Sequence, residues 1–359
     1  MAQTTTEKPA QSRDHFRDLT AGKLMGLRQI TDTEGRFRVL AMDQSNSFKK
    51  ALRAMHERAG RPAEPTYEEI RDAKLEMARI LSPLASAVLL DVNYGARQVV
   101  NSFALPKNIG LIVRVEASKD AGTPSEYEPG WSVEQIKRMG ASAVKLLVYL
   151  DTEDAANVKA QLGFAEQVAR ECRRHDILLM TEELSFPRKG EDKNSPAYKA
   201  RKVANIFKAA ELLGPLTDIL KLEFPGDIRN DPESRLKDNL AKLDAIAIRP
   251  WVLLSAGEKF DLFSKQAETA MAAGCSGYMA GRAIFNEYFE QSAPQARHAF
   301  LEKTGSERMR ALNTIVENKA RGWMKRCDLK PSDLAAAVAP DWYAAGKLKK
   351  AAGASSGDY

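Results

Sequence analysis

Two lysines stand inside short apolar runs, a position that suggests amine chemistry. Lys221 lies in the run at residues 219–224, and Lys145 lies in the run at residues 143–150. A buried strand of a parallel sheet normally reads as a continuous hydrophobic run, and an unpaired cation within it is costly. Because a desolvated lysine loses its proton more readily and becomes a nucleophile, both lysines are candidates for covalent catalysis.

Polar residues also lie at the ends of the other apolar runs. In chain order they are Asp43 and Gln44, Asp91, Arg114 and Glu116, Glu182 and Glu183, Glu223, Ser255, and Arg282. Active sites of barrels built from alternating strands and helices lie at the carboxyl ends of the strands. The sequence therefore predicts that these side chains meet at one end of such a barrel, with Glu223 on the same strand face as Lys221.

Each of these residues also has a simpler structural interpretation. Asp43 would cap the helix predicted to follow it, because aspartate is a preferred residue at helix N-termini. Asp91 and Glu116 are predicted to bind arginines across the mouth of the barrel. Lys145 and Lys221 would each be explained by a structural ion pair with a buried carboxylate. The functional interpretation depends on the two lysines and a carboxylate occurring together.

The elements that position these residues follow a regular alternation. Eight apolar runs of strand length carry Val, Ile and Leu on both faces, as strands covered on both sides do. They occupy residues 37–42, 87–92, 110–115, 143–150, 177–180, 219–224, 251–254 and 277–280. Helical periodicity lies between most of them, for example at residues 67–83, 154–174, 197–213 and 261–273. Eight such units predict an α/β fold with a single (β/α)8 TIM barrel.

Composition narrows the class of protein. The chain has 359 residues, of which 54 are Lys or Arg and 48 are Asp or Glu, and its net charge is +6. The basic residues are dispersed, which argues against nucleic-acid binding and suits an anionic small-molecule substrate. No run approaches the ~18 apolar residues of a membrane span. Three widely spaced cysteines predict neither a disulfide framework nor a zinc site and fit a cytoplasmic protein.

The ends of the chain differ from its middle. Residues 1–14 lack an apolar core and are predicted to form a disordered leader rather than a secretory signal. Residues 15–328 contain all of the alternating units and form the predicted barrel domain. Residues 329–359 are predicted to form a partly disordered C-terminal extension, because the last part is rich in Ala, Lys, Ser and Gly.

Two glycine-containing loops predict a phosphate site. Ser255, Ala256 and Gly257 follow the seventh run, and Gly281 and Arg282 follow the eighth. Loops at these positions of a (β/α)8 barrel often bind phosphate through backbone N–H groups. A neighbouring arginine adds a fork of donors that matches a phosphate group.

Six motifs together resemble the class I tagatose 1,6-bisphosphate aldolase family, which includes sulfofructose phosphate aldolases. They are LAMDQ at 40–44, LLDVNYG at 89–95, VKLLVY at 144–149, LKLEFP at 220–225, LSAG at 254–257 and AGRA at 280–283. The resemblance implies a (β/α)8 barrel that cleaves a phosphorylated ketose into dihydroxyacetone phosphate and an aldehyde. It implies a Schiff base on Lys221, a second active-site lysine at Lys145, acid–base chemistry at Glu182 and a supporting role for Asp43.

The resemblance leaves three points open. A shift of one residue would exchange Glu182 with Glu183 as the acid–base group. The family usually continues its first motif with Arg-Gly, whereas this chain has Ser45 and Asn46. The substrate is therefore open between tagatose bisphosphate, a sulfonated ketose phosphate and a deoxy-sugar-acid phosphate. A sensor that keeps the phosphate pocket without turnover is a further alternative. We expect a homo-oligomer on the general tendency of barrel enzymes.

A metal-dependent aldolase is disfavoured by the histidines. Such enzymes hold zinc with histidine side chains, and this chain has only His15, His56, His175 and His298. None of the four lies at the end of a predicted strand or near another in sequence. We therefore expect neither a metal nor another cofactor.

Overall fold

A computed structural model describes residues 15–16, 19–62 and 64–338 of the chain. The predicted leader at 1–14 lies outside the described residues, as does the last part of the predicted C-terminal extension. The first part of that extension, residues 329–338, contains a short helix, and Leu329 packs into the interior.

In the described residues, eight strands close into a parallel barrel in the order of the sequence. Every strand pairs with its neighbours along the chain, and β1 pairs with β8. The strands are β1 (Phe37–Met42), β2 (Ala87–Leu90), β3 (Gly110–Arg114), β4 (Ala143–Tyr149), β5 (Leu178–Leu184), β6 (Ile219–Leu222), β7 (Trp251–Leu254) and β8 (Gly277–Ala280). The predicted TIM barrel is confirmed, with all eight runs as strands.

Helices surround this barrel. In the described residues they are α1 (Ala21–Gln29), α2 (Asn46–Arg58), α3 (Tyr67–Leu81), α4 (Ala96–Asn101), α5 (Val133–Arg138), α6 (Ala155–Arg174), α7 (Pro196–Leu213), α8 (Glu233–Ile246), α9 (Phe260–Ala272), α10 (Arg282–Phe285), α11 (Pro294–Phe300), α12 (Ser306–Lys319), α13 (Trp323–Arg326) and α14 (Pro331–Ala336). The N-terminus of α3 shows a local reason for its position, because Thr66 and Glu69 form a reciprocal capping box. None of these helices combines the length and apolarity that crossing a bilayer requires.

The barrel interior changes character along its axis. Near the N-terminal ends of the strands it is filled by apolar side chains such as Val39, Leu89, Ile112 and Met180, and Phe16 packs in the same cluster. One step further along the inward face, ionisable residues replace them, because side chains of a strand alternate between faces with a period of two. Ile112 is thus followed by Arg114, Ala143 by Lys145, Met180 by Glu182, and Ile219 by Lys221.

The N-terminal end of the barrel is closed. Leu27 and Ile30, from α1 and the residue after it, are fully buried in the interior cluster, together with Trp323 from α13. Lys23 of α1 donates to both carboxylate oxygens of Asp218, at 2.8 and 3.1 Å, just before β6 begins. Access to the ionisable layer therefore comes from the opposite end, where the strands terminate.

Candidate active site

A cavity of about 390 Å³ opens at the carboxyl ends of the strands. It contains the two lysines that the sequence singles out, Lys145 and Lys221, with Glu182 and Asp43 beside them. Most of the remaining polar wall comes from the ends of β1 and β3 and the loops after them, and β4 and the segment after β8 add one residue each. Its residues include Gln44, Ser45, Asn46, Ser47, Arg114, Glu116, Ser118, Lys119, Asp120, Thr123, Ser125, Tyr149 and Arg282.

Lys145 is the centre of a buried ion cluster. Its Nζ lies 2.8 Å from Glu182 Oε2, 2.9 Å from Asp43 Oδ2 and 3.1 Å from Glu116 Oε1. The lysine is 1% exposed, so these three carboxylates replace its hydration shell. Ammonium groups have three N–H donors, and here each donor has one carboxylate within hydrogen-bond distance.

The charges of this cluster are fixed by its geometry. Burial alone would lower the pKa of Lys145, but Asp43, Glu116 and Glu182 outweigh burial and raise its pKa above the ordinary lysine value. Burial would raise the pKa of Asp43 and of Glu182, but Lys145 and Lys221 hold both carboxyl pKa values below their usual range. Lys145 is therefore a permanent cation and a poor nucleophile, while Asp43 and Glu182 are carboxylates.

Lys221 lies opposite Glu182 on the neighbouring strand. The two residues are partners in the register of β5 and β6, and Lys221 Nζ lies 2.8 Å from Glu182 Oε2. The same oxygen is also 2.8 Å from Lys145 Nζ. The resemblance implies Lys145 as a second active-site lysine, and in the structure the Glu182 carboxylate bridges the two amines. Lys221 has a single carboxylate partner where Lys145 has three, among the residues described.

The structure separates Glu182 from its neighbour Glu183. Adjacent residues of a strand point to opposite faces, so Glu182 enters the cavity while Glu183 points toward the surrounding helices. Glu183 Oε1 accepts hydrogen bonds from Ser185 Oγ and from Asn205 Nδ2 of α7. Burial, followed by the charge of Glu223, raises the pKa of Glu183 to about 8.

Asp43 does not cap a helix. The N-cap of α2 is Ser45, whose hydroxyl accepts a hydrogen bond from Arg114 Nη2 at 3.2 Å. Arg114 Nη1 binds the Asp43 carbonyl oxygen at 2.9 Å. Gln44 Nε2 donates to Asp43 Oδ1 and to the Ala41 carbonyl, both at 3.3 Å. These hydrogen bonds hold Asp43 in the position in which its carboxylate contacts Lys145 Nζ.

The two glycine loops meet beside Arg282. Ala256 and Gly257 both adopt left-handed backbone conformations, with φ of 47° and 79°. A Cβ placed on Gly257 would approach Arg282 Cζ to 2.9 Å, so the guanidinium lies directly against this glycine. At Gly281 a Cβ would lie 2.2 Å from the Ala41 carbonyl oxygen, which shows how closely β8 approaches β1 there.

Of the predicted substrate contacts, Gln44 and Arg282 line the cavity of the ion cluster, whereas Ser255, Gly257 and Gly281 line neither that cavity nor its neighbour. Glu223 and Ala256 line a neighbouring cavity of about 920 Å³. Because β6 ends at Leu222, the alternation that would place Glu223 beside Lys221 no longer applies. Its carboxylate instead contacts Lys202 of α7 at 2.6 Å and accepts from the Ser185 backbone N–H at 3.0 Å.

An arginine partner is found for Glu116, which Arg114 contacts, but the predicted arginine partner of Asp91 is wrong. Asp91 is paired with Lys74 of α3, and both side chains are fully buried. Glu116 binds Lys145 first, and the Nε atom of Arg114 lies 3.9 Å away. In both pairs the shortest contact is with a buried lysine, and it depends on how the helices and strands pack together.

The described histidines lie away from this cavity. His15 contacts Asp218 at the closed end of the barrel, and His56 and His298 line a separate cavity between α2, α3 and α11. His175 ends α6. Among the described residues, no group of three or more His, Cys, Asp or Glu side chains is arranged to hold a metal ion.

The chain is similar in sequence to known aldolases. A family profile described as DeoC/LacD family aldolase matches residues 37–287, which contain all eight strands and the ion cluster. The chain belongs to this aldolase family. It is 30% identical over 332 residues to tagatose 1,6-diphosphate aldolase 2 of Streptococcus agalactiae, covering 86% of this chain and 99% of that protein. Tagatose 1,6-diphosphate aldolase of Staphylococcus aureus is 29% identical, with coverage of 85% and 98%.

Solved structures support the fold of this family member. A fructose-bisphosphate aldolase from Plasmodium falciparum superposes with a TM-score of 0.61 at 13% identity, covering 88% of this chain and 97% of that one. An archaeal fructose 1,6-bisphosphate aldolase superposes with a TM-score of 0.54 at 17% identity, with coverage of 82% and 99%. At these identities the likeness establishes the shared barrel.

Proposed function

We propose that this aldolase cleaves a phosphorylated ketose, such as tagatose 1,6-bisphosphate, through a Schiff base on Lys221. The observation that carries the proposal is the arrangement of Lys221, Glu182 and Lys145 within the barrel, with one carboxylate oxygen 2.8 Å from both amines. The curated relatives named tagatose 1,6-diphosphate aldolase support this substrate class. The products are dihydroxyacetone phosphate and an aldehyde.

The covalent step begins with transfer of a proton from Lys221 Nζ to the adjacent carboxylate of Glu182. The nitrogen lone pair then attacks the ketose carbonyl at C2 and gives a carbinolamine. Glu182 returns the proton to the carbinolamine hydroxyl group, which leaves as water, so that an iminium ion forms and Glu182 is again a carboxylate. Lys145 is unsuited to this attack because its three carboxylate partners keep it protonated. Its positive charge instead keeps Glu182 and Asp43 ionised.

Cleavage follows once the iminium ion is formed. Glu182, as a carboxylate, removes the proton of the C4 hydroxyl group, and the electrons of the C3–C4 bond move toward the iminium nitrogen. The aldehyde departs and leaves an enamine on Lys221. Protonation of the enamine at C3 and hydrolysis release dihydroxyacetone phosphate and restore the amine.

We assign the binding of the substrate phosphate to the loops after β7 and β8. Among the described residues, Arg282 is the cation of this cavity that no carboxylate contacts. Its guanidinium and the backbone N–H groups near Ser255, Gly257 and Gly281 offer a charged fork with neutral donors around it. Anchoring the phosphate there holds C2 near Lys221 and lowers the entropic cost of attack.

A second candidate substrate is a ketose 1-phosphate whose other end carries a sulfonate or another non-phosphate group. Ser45, Asn46 and Ser47 give that side of the cavity neutral donors. The cations there are already paired, Lys119 with Glu126 at 2.8 Å and Arg114 with Glu128 at 3.6 Å. Cleavage of tagatose bisphosphate, fructose bisphosphate and sulfofructose phosphate, measured side by side, separates the two candidates.

Borohydride trapping tests the central claim. Borohydride added with tagatose 1,6-bisphosphate should reduce the iminium ion and fix a mass adduct on the peptide that contains Lys221. Lys221→Met should abolish both the adduct and cleavage, while Lys145→Met removes a cation that is not the nucleophile and should leave the Lys221 adduct detectable. An adduct on another lysine, or cleavage that survives in Lys221→Met, would refute the Schiff-base proposal.

A further inference from the structure

Lys74 is a fully buried lysine outside the cavity. It belongs to α3, and its Nζ reaches the outer side of the barrel between the ends of β1 and β2. There it pairs with Asp91, and the pair is enclosed by aromatic rings, with Nζ 5.2 Å from the Phe48 ring centroid and 6.0 Å from that of Tyr94. Burial of an ion pair has a high desolvation cost, so stability alone is a weak explanation for this pair. The other contacts of Lys74 indicate a further role.

Those contacts are with the backbone on either side of Asp43. Lys74 Nζ donates to the Met42 carbonyl oxygen at 2.9 Å and to the Gln44 carbonyl oxygen at 3.0 Å. The carbonyl between them, that of Asp43, accepts from Arg114 Nη1 at 2.9 Å. Three successive carbonyl oxygens at the end of β1 are thus bound by two cations, one from outside the barrel and one from inside.

We propose that the Lys74–Asp91 pair positions Asp43, so that the Asp43 carboxylate stays on Lys145 throughout the reaction. The proposal rests on the proposed aldolase function, since it assigns Lys74 a part in that active site. Lys74 fixes the peptide groups before and after Asp43, and Asp91 fixes Lys74. Asp91 is itself held, because its Oδ1 accepts from the backbone N–H groups of Asn93 and Tyr94 at 2.9 and 2.7 Å.

The effect of losing this support follows from the chemistry of the cluster. When the donor of Lys74 is absent, the carbonyl groups of Met42 and Gln44 are buried without it, and the segment must turn to find other partners. Asp43 then moves away from Lys145, and Lys145 becomes free to draw Glu182 away from Lys221. Displacements of about 1 Å in such a site reduce turnover by up to about 100-fold.

The chain contains a matched control at the other end of the barrel. Lys23 and Asp218 form a second buried Lys–Asp pair, with the lysine 8% exposed and its Nζ 2.8 Å from the carboxylate. Lys23→Met therefore removes a comparable ion pair without touching the cavity. If loss of a buried ion pair lowered kcat only through reduced stability, kcat would fall in both variants. If Lys74 positions Asp43, kcat falls only in Lys74→Met.

The experiment combines crystal structures with kinetics of the full chain. In Lys74→Met, we expect the Asp43 Oδ2 to Lys145 Nζ distance to exceed 3.5 Å, whereas in Lys23→Met it should stay near the 2.9 Å of the unmodified chain. With tagatose 1,6-bisphosphate, Lys74→Met should lose about 10- to 100-fold in kcat with KM changed less than about threefold. The Lys23→Met enzyme should keep its kcat.

A second pair of variants covers the case in which Lys74→Met does not fold. Asp91→Asn keeps an oxygen for the two backbone N–H groups and removes the countercharge of Lys74, with Asp218→Asn as its control. A selective loss of kcat in Asp91→Asn supports the proposal. An unchanged contact between Asp43 and Lys145, or equal kcat losses in test and control variants, overturns it. The distance between Asp43 Oδ2 and Lys145 Nζ is measured without turnover. It therefore tests the positioning role even if the Schiff-base proposal is wrong.

Discussion

Glu182 Oε2 lies 2.8 Å from Lys221 Nζ, and the two residues are direct partners in the register of β5 and β6. This contact places an acceptor for the proton that Lys221 must lose beside the amine itself. The second amine on the same oxygen, Lys145, keeps the carboxylate ionised until it takes up that proton. The proposed nucleophile and the proposed base are thereby coupled through one atom.

We expect Glu182→Gln to reduce kcat by about 100- to 10,000-fold, because a positioned acid–base group contributes about that factor. An amide cannot take a proton from Lys221 or from the C4 hydroxyl group. Steady-state cleavage of tagatose 1,6-bisphosphate measures the loss, and the unfolding midpoint of the same variant shows whether its fold is intact.

Glu183→Gln is the control for that variant. It removes a carboxyl group one residue away that faces the helices and binds Ser185 and Asn205. Its kcat should stay within about threefold of the unmodified enzyme. If Glu183→Gln proved the more damaging change, the assignment of Glu182 as the acid–base group would be wrong.

Glu183 also predicts a pH dependence of stability. Its pKa is raised to about 8 in the folded chain because of burial and the nearby Glu223, whereas an unfolded glutamate titrates near 4.5. A raised folded pKa contributes stability that is complete below the unfolded pKa and is lost as pH rises toward the folded pKa. The free energy of unfolding should therefore fall by up to roughly 1.4 kcal/mol per pH unit between about pH 5 and pH 8.

Urea unfolding at several pH values measures this slope. Other groups titrate in the same range, so the informative quantity is the difference between the unmodified chain and Glu183→Gln. Glutamine imitates the neutral acid and cannot ionise, and its slope should be flatter. Equal slopes in the two proteins would mean that Glu183 is already ionised at neutral pH.

Much of the barrel and of its charged layer could be predicted from the sequence. The apolar runs gave all eight strands, because strands covered on both faces need continuous hydrophobic stretches. Lys145 and Lys221 stood out since a cation inside such a run breaks that rule. The cavity brings them together with Glu182, Asp43, Gln44 and Arg282, while Glu223 and Ala256 face a different cavity.

What the sequence left open depends on contacts between elements. Glu182 and Glu183 could not be told apart because the end of β5 is polar on both faces, so hydrophobic alternation does not fix its register. Lys74 was missed, although it falls four residues after Ile70 and three before Met77 on the buried face of α3. A lysine in the apolar stripe of a helix was the available signal.

Arg282 is expected to supply most of the charge that binds the substrate phosphate. Arg282→Ala should raise KM for tagatose 1,6-bisphosphate by roughly 10- to 150-fold, since a hydrogen bond to a charged group is worth about 1.5–3 kcal/mol. The control is Arg229→Ala, which removes an arginine of the neighbouring cavity that is paired with Glu258 at 2.8 Å. Similar KM values in the two variants would place the phosphate elsewhere.

Substitution of Gly257 tests the same phosphate site, because this glycine lies against Arg282. Gly257→Ala adds a methyl group that would lie 2.9 Å from Arg282 Cζ, which is too close for the guanidinium to stay in place. It also puts a side chain on a residue with a positive φ of 79°. Gly130→Ala introduces the same backbone strain at a φ of 77°, with nothing within 4 Å of the added Cβ. Both variants should lose about 1 kcal/mol of stability from the left-handed conformation. Only Gly257→Ala should also raise KM, by about tenfold or more, because Arg282 must move. If the two variants had equal KM values, contact between this loop and Arg282 would be irrelevant to substrate binding, and the phosphate site would have to be sought away from the ends of β7 and β8.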